Sequence, residues 1–396
     1  MQPATLNAQR AVATYAAMQR WLTVPDGHGL YAETAPPSGD HDAEPVPPSG
    51  NRYAYLWPYS RALLGTLCLA GVPGWRDQAA VTDCLRGLAA YWDGSGRAPA
   101  YASYIMPPLG PGGDRYADDN AWVALALILH TRLGLGSALR RAADLFAFGH
   151  AGWNTNPRDP RPGGIFWVEQ GRGLGRTNHD RGAGATAGTA ALGFHLHELT
   201  GSAVFDGDGE AIARPRALGA RNMLDWVRLH LDSEQAGHGP YWNVVRHDGS
   251  IDTNLWSYNQ GVVLGACVLQ HRLTGSVEHL EQAERIAVRT LETFGTFRNH
   301  PPSFNAMCFQ NLLMLVALTH DAALSGRVLE ALHAYADWAW DPATGARDRH
   351  TNLFAFTDDG RPAIGSDEPS KLQDQGAMTQ LYALLAWDPA DYARLT

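Results

Sequence analysis

The chain has 396 residues, 45% hydrophobic and 18% charged, which is ample apolar material for a large core and far from the low-hydrophobicity, high-charge signature of disorder. Its net charge of −9, spread without long acidic or basic runs, argues against nucleic acid or an anionic membrane surface as partner and favours a neutral ligand. The four cysteines, Cys68, Cys84, Cys267 and Cys308, fall singly in apolar stretches, with neither metal-ligand spacing nor the density of a disulfide framework, and read as reduced core thiols.

In chain order, apolar residues recur at helical spacing near 6–24, 52–71, 76–93, 118–134, 137–152, 183–200, 209–231, 256–274, 277–296, 303–320, 323–339 and 372–387. The segments come in pairs. Within several pairs the link is a short glycine turn, as at Gly71 to Gly74, Gly134 to Gly136, Gly201 and Gly275, all helix C-cap signals. Between pairs the links are mostly long: 25–51, 95–117, 154–182, 232–255 and 340–371, with only 297–302 short. Alternating short and long links gather the long loops at one end of a stack of antiparallel helix pairs, where a rigid scaffold usually carries its function.

Even-numbered segments are apolar or small almost all round, whereas odd-numbered ones from the third onward carry charged faces, as in Glu278, Glu281, Glu284 and Arg285. That contrast predicts six inner helices covered by six outer ones, an all-α (α/α)6 barrel forming one domain over 1–396. Alternating patterns about Asp248-Gly249 (242–251) and Asp359-Gly360 (353–364) predict small β-hairpins in the long loops. Only Arg10 is basic in the first nineteen residues, and no uninterrupted apolar block follows, which predicts no signal peptide and a cytoplasmic protein; a leader upstream would make it secreted. The longest apolar run, 121–129, covers about half a membrane span.

The strongest chemical feature is Tyr116-Ala-Asp-Asp-Asn-Ala-Trp122, which closes a Gly- and Pro-rich loop and opens an inner helix. Asp118 and Asp119 can both reach one bound sugar, because adjacent Cα atoms lie about 3.8 Å apart. Glycoside cleavage uses such a pair, one carboxyl protonating the leaving oxygen while the other attacks the anomeric carbon or activates water. Neighbouring residues meet the retaining separation of about 5 Å more readily than the wider inverting one. Two close carboxyls also resist ionising together, which supplies one acid and one base. An Asp here equally serves as a helix cap, and the pair by itself leaves both roles open.

Asp358-Asp359-Gly360 is better explained as a hairpin turn. His195 and His197, two apart on a helix, do not share a face and make poor metal partners, so no metal and no cofactor is expected. Trp57, Tyr59, Trp122, Trp167, Trp256 and Tyr258 cluster near the loop ends of inner helices, and their flat faces suit a sugar ring, although core packing explains many such residues equally well.

Three further stretches extend the likeness of Asp118-Asp119-Asn-Ala-Trp122 to a known family. Gly163-Gly-Ile-Phe-Trp167, Trp256-Ser-Tyr-Asn-Gln-Gly261 and the apolar helix ending at Leu273-Thr-Gly275 follow in order, and together the chain resembles glycoside hydrolase family 76, the α-1,6-mannanase family. The resemblance runs from roughly Asp118 to Leu318. It implies an (α/α)6 barrel, retaining hydrolysis of α-1,6-mannosides in mannan or mannooligosaccharides, Asp118 as nucleophile and Asp119 as general acid/base. Tyr258, Asn259 and Gln260, with Trp167, would then belong to the cleft. The chain departs from the family at Phe304-Asn-Ala-Met307 and Gln310, where a lysine and an arginine are usual, and at the segment carrying Asp180 and Arg181. A sugar epimerase on the same barrel would need two histidines facing each other at inner-helix ends, whereas carboxylates and aromatics stand there. A mannan-binding relative without turnover, or a transglycosylase that intercepts the same intermediate, would keep the barrel and the pair.

Overall fold

A computed structural model describes residues 3–35, 51–75, 77–96, 98–207 and 218–396. Among them are twelve α-helices: α1 (Pro3–Leu22), α2 (Leu56–Ala70), α3 (Gln78–Ala89), α4 (Ala117–Arg132), α5 (Leu139–Ala151), α6 (Ala183–Thr200), α7 (Ala220–Leu231), α8 (Ser257–Thr274), α9 (Val277–Phe294), α10 (Pro302–Val316), α11 (Ala322–Trp340) and α12 (Leu372–Leu384). All twelve expected segments are found, although the first part of 209–231 and most of the loop 25–51 lie outside the described residues.

The even helices form the inner ring, each packing on the next and α12 closing on α2, while α1, α3, α5, α7, α9 and α11 cover them from outside. Sequence dictates which helix goes where. In α6 every residue from Ala183 to Leu196 is buried, so no polar face exists to turn outward. In α9 only Leu280, Ala283, Ile286, Ala287, Thr290 and Phe294 are buried, a stripe at three- and four-residue spacing that makes one face dry and leaves the other to Glu and Arg. Gly201 and Gly275 end their helices at φ 71°, a left-handed conformation that glycine adopts without a Cβ clash. All four cysteines are buried and free.

Small strands trim the loop end. β1 (Trp92–Asp93) pairs antiparallel with β2 (Ala100–Tyr101), and β3 (Arg181–Gly182), β4 (Val244–Val245) and β5 (Ile251–Asp252) form an antiparallel sheet in that order. The β4–β5 register, Val244 opposite Asp252 and Val245 opposite Ile251, is the hairpin expected about Asp248-Gly249. The second hairpin is reduced to isolated bridges, Phe356 with Pro362 and Arg347 with Phe354.

One device recurs at the loop end. The fourth residue of each inner helix is polar and turns back to hold backbone delivered by a neighbouring segment. Asn120 accepts from the Tyr101 amide (2.8 Å) and donates to the Tyr101 carbonyl (3.0 Å). Gln260 does the same with Tyr241 (2.7 and 2.9 Å). Thr186 accepts from the Ile165 amide, Asn305 donates to the carbonyls of Phe297 and His300, and Gln375 accepts from the Phe354 amide. In α2 the fourth residue is Tyr59, whose hydroxyl lies 2.8 Å from the Gly29 carbonyl and 2.7 Å from that of Cys84. Buried backbone groups must find partners. These six side chains supply them, and so set the positions of the chain around the mouth of the barrel.

Candidate active site

Because the long loops precede the inner helices, the N-terminal turns of those helices converge at the loop end. Their second and third residues present Trp57, Asp118 and Asp119, Gly184, Tyr258 and Asn259, and Phe304 there. Asp118 and Asp119 occupy the first turn of α4, whose unpaired amides favour negative charge. Neither acts as the cap: the residue before the helix is Tyr116, which makes no side-chain cap bond.

Asp118 is held on both oxygens. Oδ1 accepts from the Asp119 amide and Oδ2 from Nε1 of Trp167, each at 2.9 Å. Trp167 is brought there by a local ladder: its carbonyl accepts from the Ala117 amide (2.8 Å), its amide donates to the Asp180 carbonyl (2.8 Å), and Tyr116 pairs with Val168. Beneath, buried Arg115 forms an ion pair with Glu169 through Nε (2.7 Å) and Nη2. Tyr116 packs on the Trp167 ring at 4.9 Å.

The two carboxyls differ in environment. Burial raises Asp118 to about 6, opposed by the bonds from the Asp119 amide and the Trp167 indole. Burial and the charge of Asp118 push Asp119 well above the ordinary carboxylate range, opposed by the guanidinium of Arg61. The favoured state near neutrality is therefore an ionised Asp118 beside a protonated Asp119. This arrangement supplies an oriented anion and a proton donor on consecutive residues.

An aromatic wall faces the pair. Phe304 of α10 packs against Tyr258 (4.6 Å), Trp256 (5.4 Å) and Trp57 (6.0 Å), and Tyr258 meets Trp122 edge-on at 6.1 Å. Gly184 makes room for it, since a Cβ there would lie 2.8 Å from the Tyr258 ring. The Tyr258 hydroxyl donates to Oδ1 of Asn243 (3.4 Å), as does Nδ2 of Asn259 (3.2 Å), while Oδ1 of Asn259 is buried without a partner.

The structure corrects the expected site in several places. Tyr59 is fully buried, and Gln260 is committed to the Tyr241 backbone, so both stand behind the cleft wall rather than in it. Trp122 is 4% exposed and backs the wall through Tyr258. At the departures from the family pattern, Asn305 is a loop anchor and Gln310 donates to Thr396 in the interior, so neither position reaches the cleft mouth. Arg181, in the other departing segment, is buried and donates to the carbonyls of Pro160 and Gly163 (2.8 Å each). Asp358 and Asp359 pair outward with Lys371 and Arg361. A cavity of about 300 Å³ lined by residues including Leu291, Arg298, Arg327 and Tyr335 lies on the outer ring between α9 and α11, away from the acid pair.

Sequence reasoning missed Arg61, in the second turn of α2, and Phe304 as the hub of the aromatic wall. The available signal for Arg61 was a lone charge in the otherwise uncharged stretch Leu56–Ala70.

The Trp167 bond carries a prediction. A hydrogen bond to the ionised form lowers a carboxyl pKa, so its loss in Trp167→Phe raises that of Asp118. The acid limb of activity should move up by about one pH unit, with about a tenfold loss below the limb and little change above it. A pH profile of kcat/KM checks this; an unmoved acid limb would show that the indole only packs.

Comparison with known proteins places the chain in a family. The model described as glycosyl hydrolase family 76 matches residues 96–386. The fold is shared with the family 76 mannosidase Bt3792 from Bacteroides thetaiotaomicron at a TM-score of 0.74 and 18% identity, over 96% of this chain and 98% of that one. It is also shared with an inactive variant of the α-1,6-mannanase GH76A of Salegentibacter, in complex with α-1,6-mannotriose and carrying two consecutive aspartates changed to asparagine (TM-score 0.67, 17% identity, 96% and 99% of the two chains). A third likeness is to Dfg5 from Chaetomium thermophilum in complex with glucosamine (TM-score 0.62, 14% identity, 96% and 90%). No curated protein sequence matches the chain.

Proposed function

The chain belongs to glycosyl hydrolase family 76, and on that premise we propose that it hydrolyses α-1,6-mannosidic bonds in mannan or mannooligosaccharides with retention of configuration, as one catalytic unit over 1–396. The observation that carries this reading is the pair of consecutive carboxyls in unlike environments, Asp118 gripped by two donors and Asp119 pushed up by burial and by the charge of Asp118 against the attraction of Arg61. The Salegentibacter mannanase, inactive with two consecutive aspartates replaced and binding α-1,6-mannotriose, supports both the chemistry and the substrate class.

In the first step Asp119 gives its proton to the glycosidic oxygen as that C–O bond breaks, and the Asp118 carboxylate forms an ester with the anomeric carbon. Water then attacks the same carbon, its proton passes to Asp119, and Asp118 leaves as a carboxylate. The two bonds on Asp118 hold it in one orientation for attack, which lowers the entropic part of the barrier. Trp57, Trp256, Tyr258 and Phe304 provide flat apolar faces for mannose rings, while Asn259, expected in the cleft, is fully buried and stands behind them, donating to Asn243. Among the described residues no helix is long and apolar enough to cross a membrane, and no three metal-binding side chains converge. Neither a metal nor a cofactor is needed by the two steps.

Digestion of α-1,6-mannooligosaccharides, with α-1,2- and α-1,3-linked controls, followed by anomer-resolved NMR tests the reading. The α-1,6 substrates should be cleaved and the α anomer should appear first. A β product sinks retention, and cleavage confined to the controls sinks the linkage.

A further inference from the structure

Arg61 is 1% exposed, at a level of the barrel where a charge is costly to desolvate. Its Nε lies 3.3 Å from Oγ of Ser60, and Nη1 is buried with no hydrogen-bond partner. The guanidinium sits 4.8 Å from the centre of the Trp57 ring, an aromatic of the cleft wall. Its backbone is clamped, because α12 approaches so closely at Gly376 that a Cβ there would lie 2.6 Å from the Arg61 carbonyl carbon. A buried cation fixed in this way, with an unused donor, is poorly explained by packing. An apolar side chain would serve that purpose without the desolvation cost.

The surroundings show what the charge faces. Burial pulls the guanidinium down to about 10, and the opposing attraction comes first from the Asp119 carboxylate. Asp119 itself feels Asp118 and Arg61, and Tyr116 feels all of Asp114, Asp119 and Asp118. From α12, Asp374 is attracted by Lys371 and repelled by Asp358 and Glu368, and from α3 Asp83 pairs with Arg86. Arg61 is thus the cation assigned to Asp119.

We propose that Arg61 is the positioning residue of the pair, the fixed cation that readies Asp119 to act as base once Asp118 has become an ester. This rests on the two-step reading above. In the free enzyme the Asp118 charge keeps the proton on Asp119, as the first step requires. Esterification removes that charge as Asp119 passes its proton to the leaving oxygen, and the attraction of Arg61 then keeps Asp119 ionised, so that it can take a proton from the attacking water.

The test uses the full-length enzyme with Arg61→Met, Arg61→Gln and Arg61→Lys, with α-1,6-mannotriose and an aryl α-1,6-mannobioside whose leaving group needs no acid. In the neutral variants the alkaline limb of kcat/KM on mannotriose should rise by about one pH unit. On the aryl donor, kcat should fall about tenfold or more, and azide, which needs no base, should restore it with formation of a mannosyl azide. Arg61→Lys should keep both limbs in place. Two neutral variants of different polarity are included so that one retains the wild-type melting behaviour. A uniform loss at every pH with unmoved limbs and no azide response would overturn the proposal and leave Arg61 a packing residue. If wild type cleaves neither substrate, or Asp119→Asn keeps the alkaline limb, the two-step reading itself has failed and this inference goes with it. A limb that depends on Asp119 but ignores Arg61 rejects the inference alone.

Discussion

Asp118→Asn should lower kcat/KM on α-1,6-mannooligosaccharides by roughly 10,000-fold, because the nucleophile is lost and no neighbouring group can replace it. Asp119→Asn should cost roughly 100- to 10,000-fold with a natural leaving group and much less with an activated aryl one, since an acid assists only where the leaving oxygen needs a proton. Wild type should show a bell-shaped profile. Its acid limb lies at about 6, set by burial of Asp118 against its two hydrogen bonds, and its alkaline limb lies higher, set by Asp119. Both limbs belong to the coupled pair. Steady-state kinetics of the two variants across pH check this; activity that survives both substitutions at wild-type level would remove the pair from catalysis.

Asp374→Asn should stabilise the protein at pH 8 by up to about 4 kcal/mol and change little near pH 3. Asp374 is the third residue of α12, the same rank that Asp119 holds in α4, and is 2% exposed. Burial raises it from 3.8 to about 7, with Lys371 opposing and Asp358 and Glu368 adding to the rise. The native state therefore holds a proton that the unfolded chain releases above pH 3.8. Stability falls as pH climbs from about 4 to about 7 and the loss is complete above that. Asparagine carries no such linkage, so the difference between variant and wild type should grow through this window and then level off. Urea melts at pH 3, 5, 7 and 8 measure it, and parallel curves for the two proteins would mean that Asp374 is solvated in the native state. The comparison with Asp119 also shows why equal rank does not confer equal role. Asp374 follows Gln373 and is attracted by the charge of Lys371, whereas Asp119 follows a second aspartate and is attracted by the charge of the buried Arg61.

Helix number, pairing, ring assignment and the entrance aspartates were legible in the sequence, because each is a local or periodic property. A three- to four-residue stripe marks an outer helix such as α9, unbroken small and apolar residues mark an inner one such as α6, and Gly201 and Gly275 stop helices through their own left-handed φ. The placement of Asp118-Asp119 just inside a helix after a long loop followed from the same pattern.

What only the tertiary structure decided is which way the polar residues on those inner turns face and what they meet. Tyr59 and Gln260 look like sugar ligands in the sequence, yet they are the α2 and α8 members of the sixfold set that satisfies loop backbone. Alignment of the six inner-helix starts would have exposed that set, but its partners, such as Tyr101 for Asn120 and Phe354 for Gln375, are fixed by loop paths that no periodicity encodes. The Trp167 indole reaches Asp118 across 49 residues of chain, and the charge of Arg61 acts on Asp119 from a different helix. Periodicity reports which face of a helix is dry. Whether a polar group on a dry face meets backbone, another charge or the cleft depends on chain segments distant in sequence, and that contact, through desolvation and hydrogen bonding, determines the protonation of the pair.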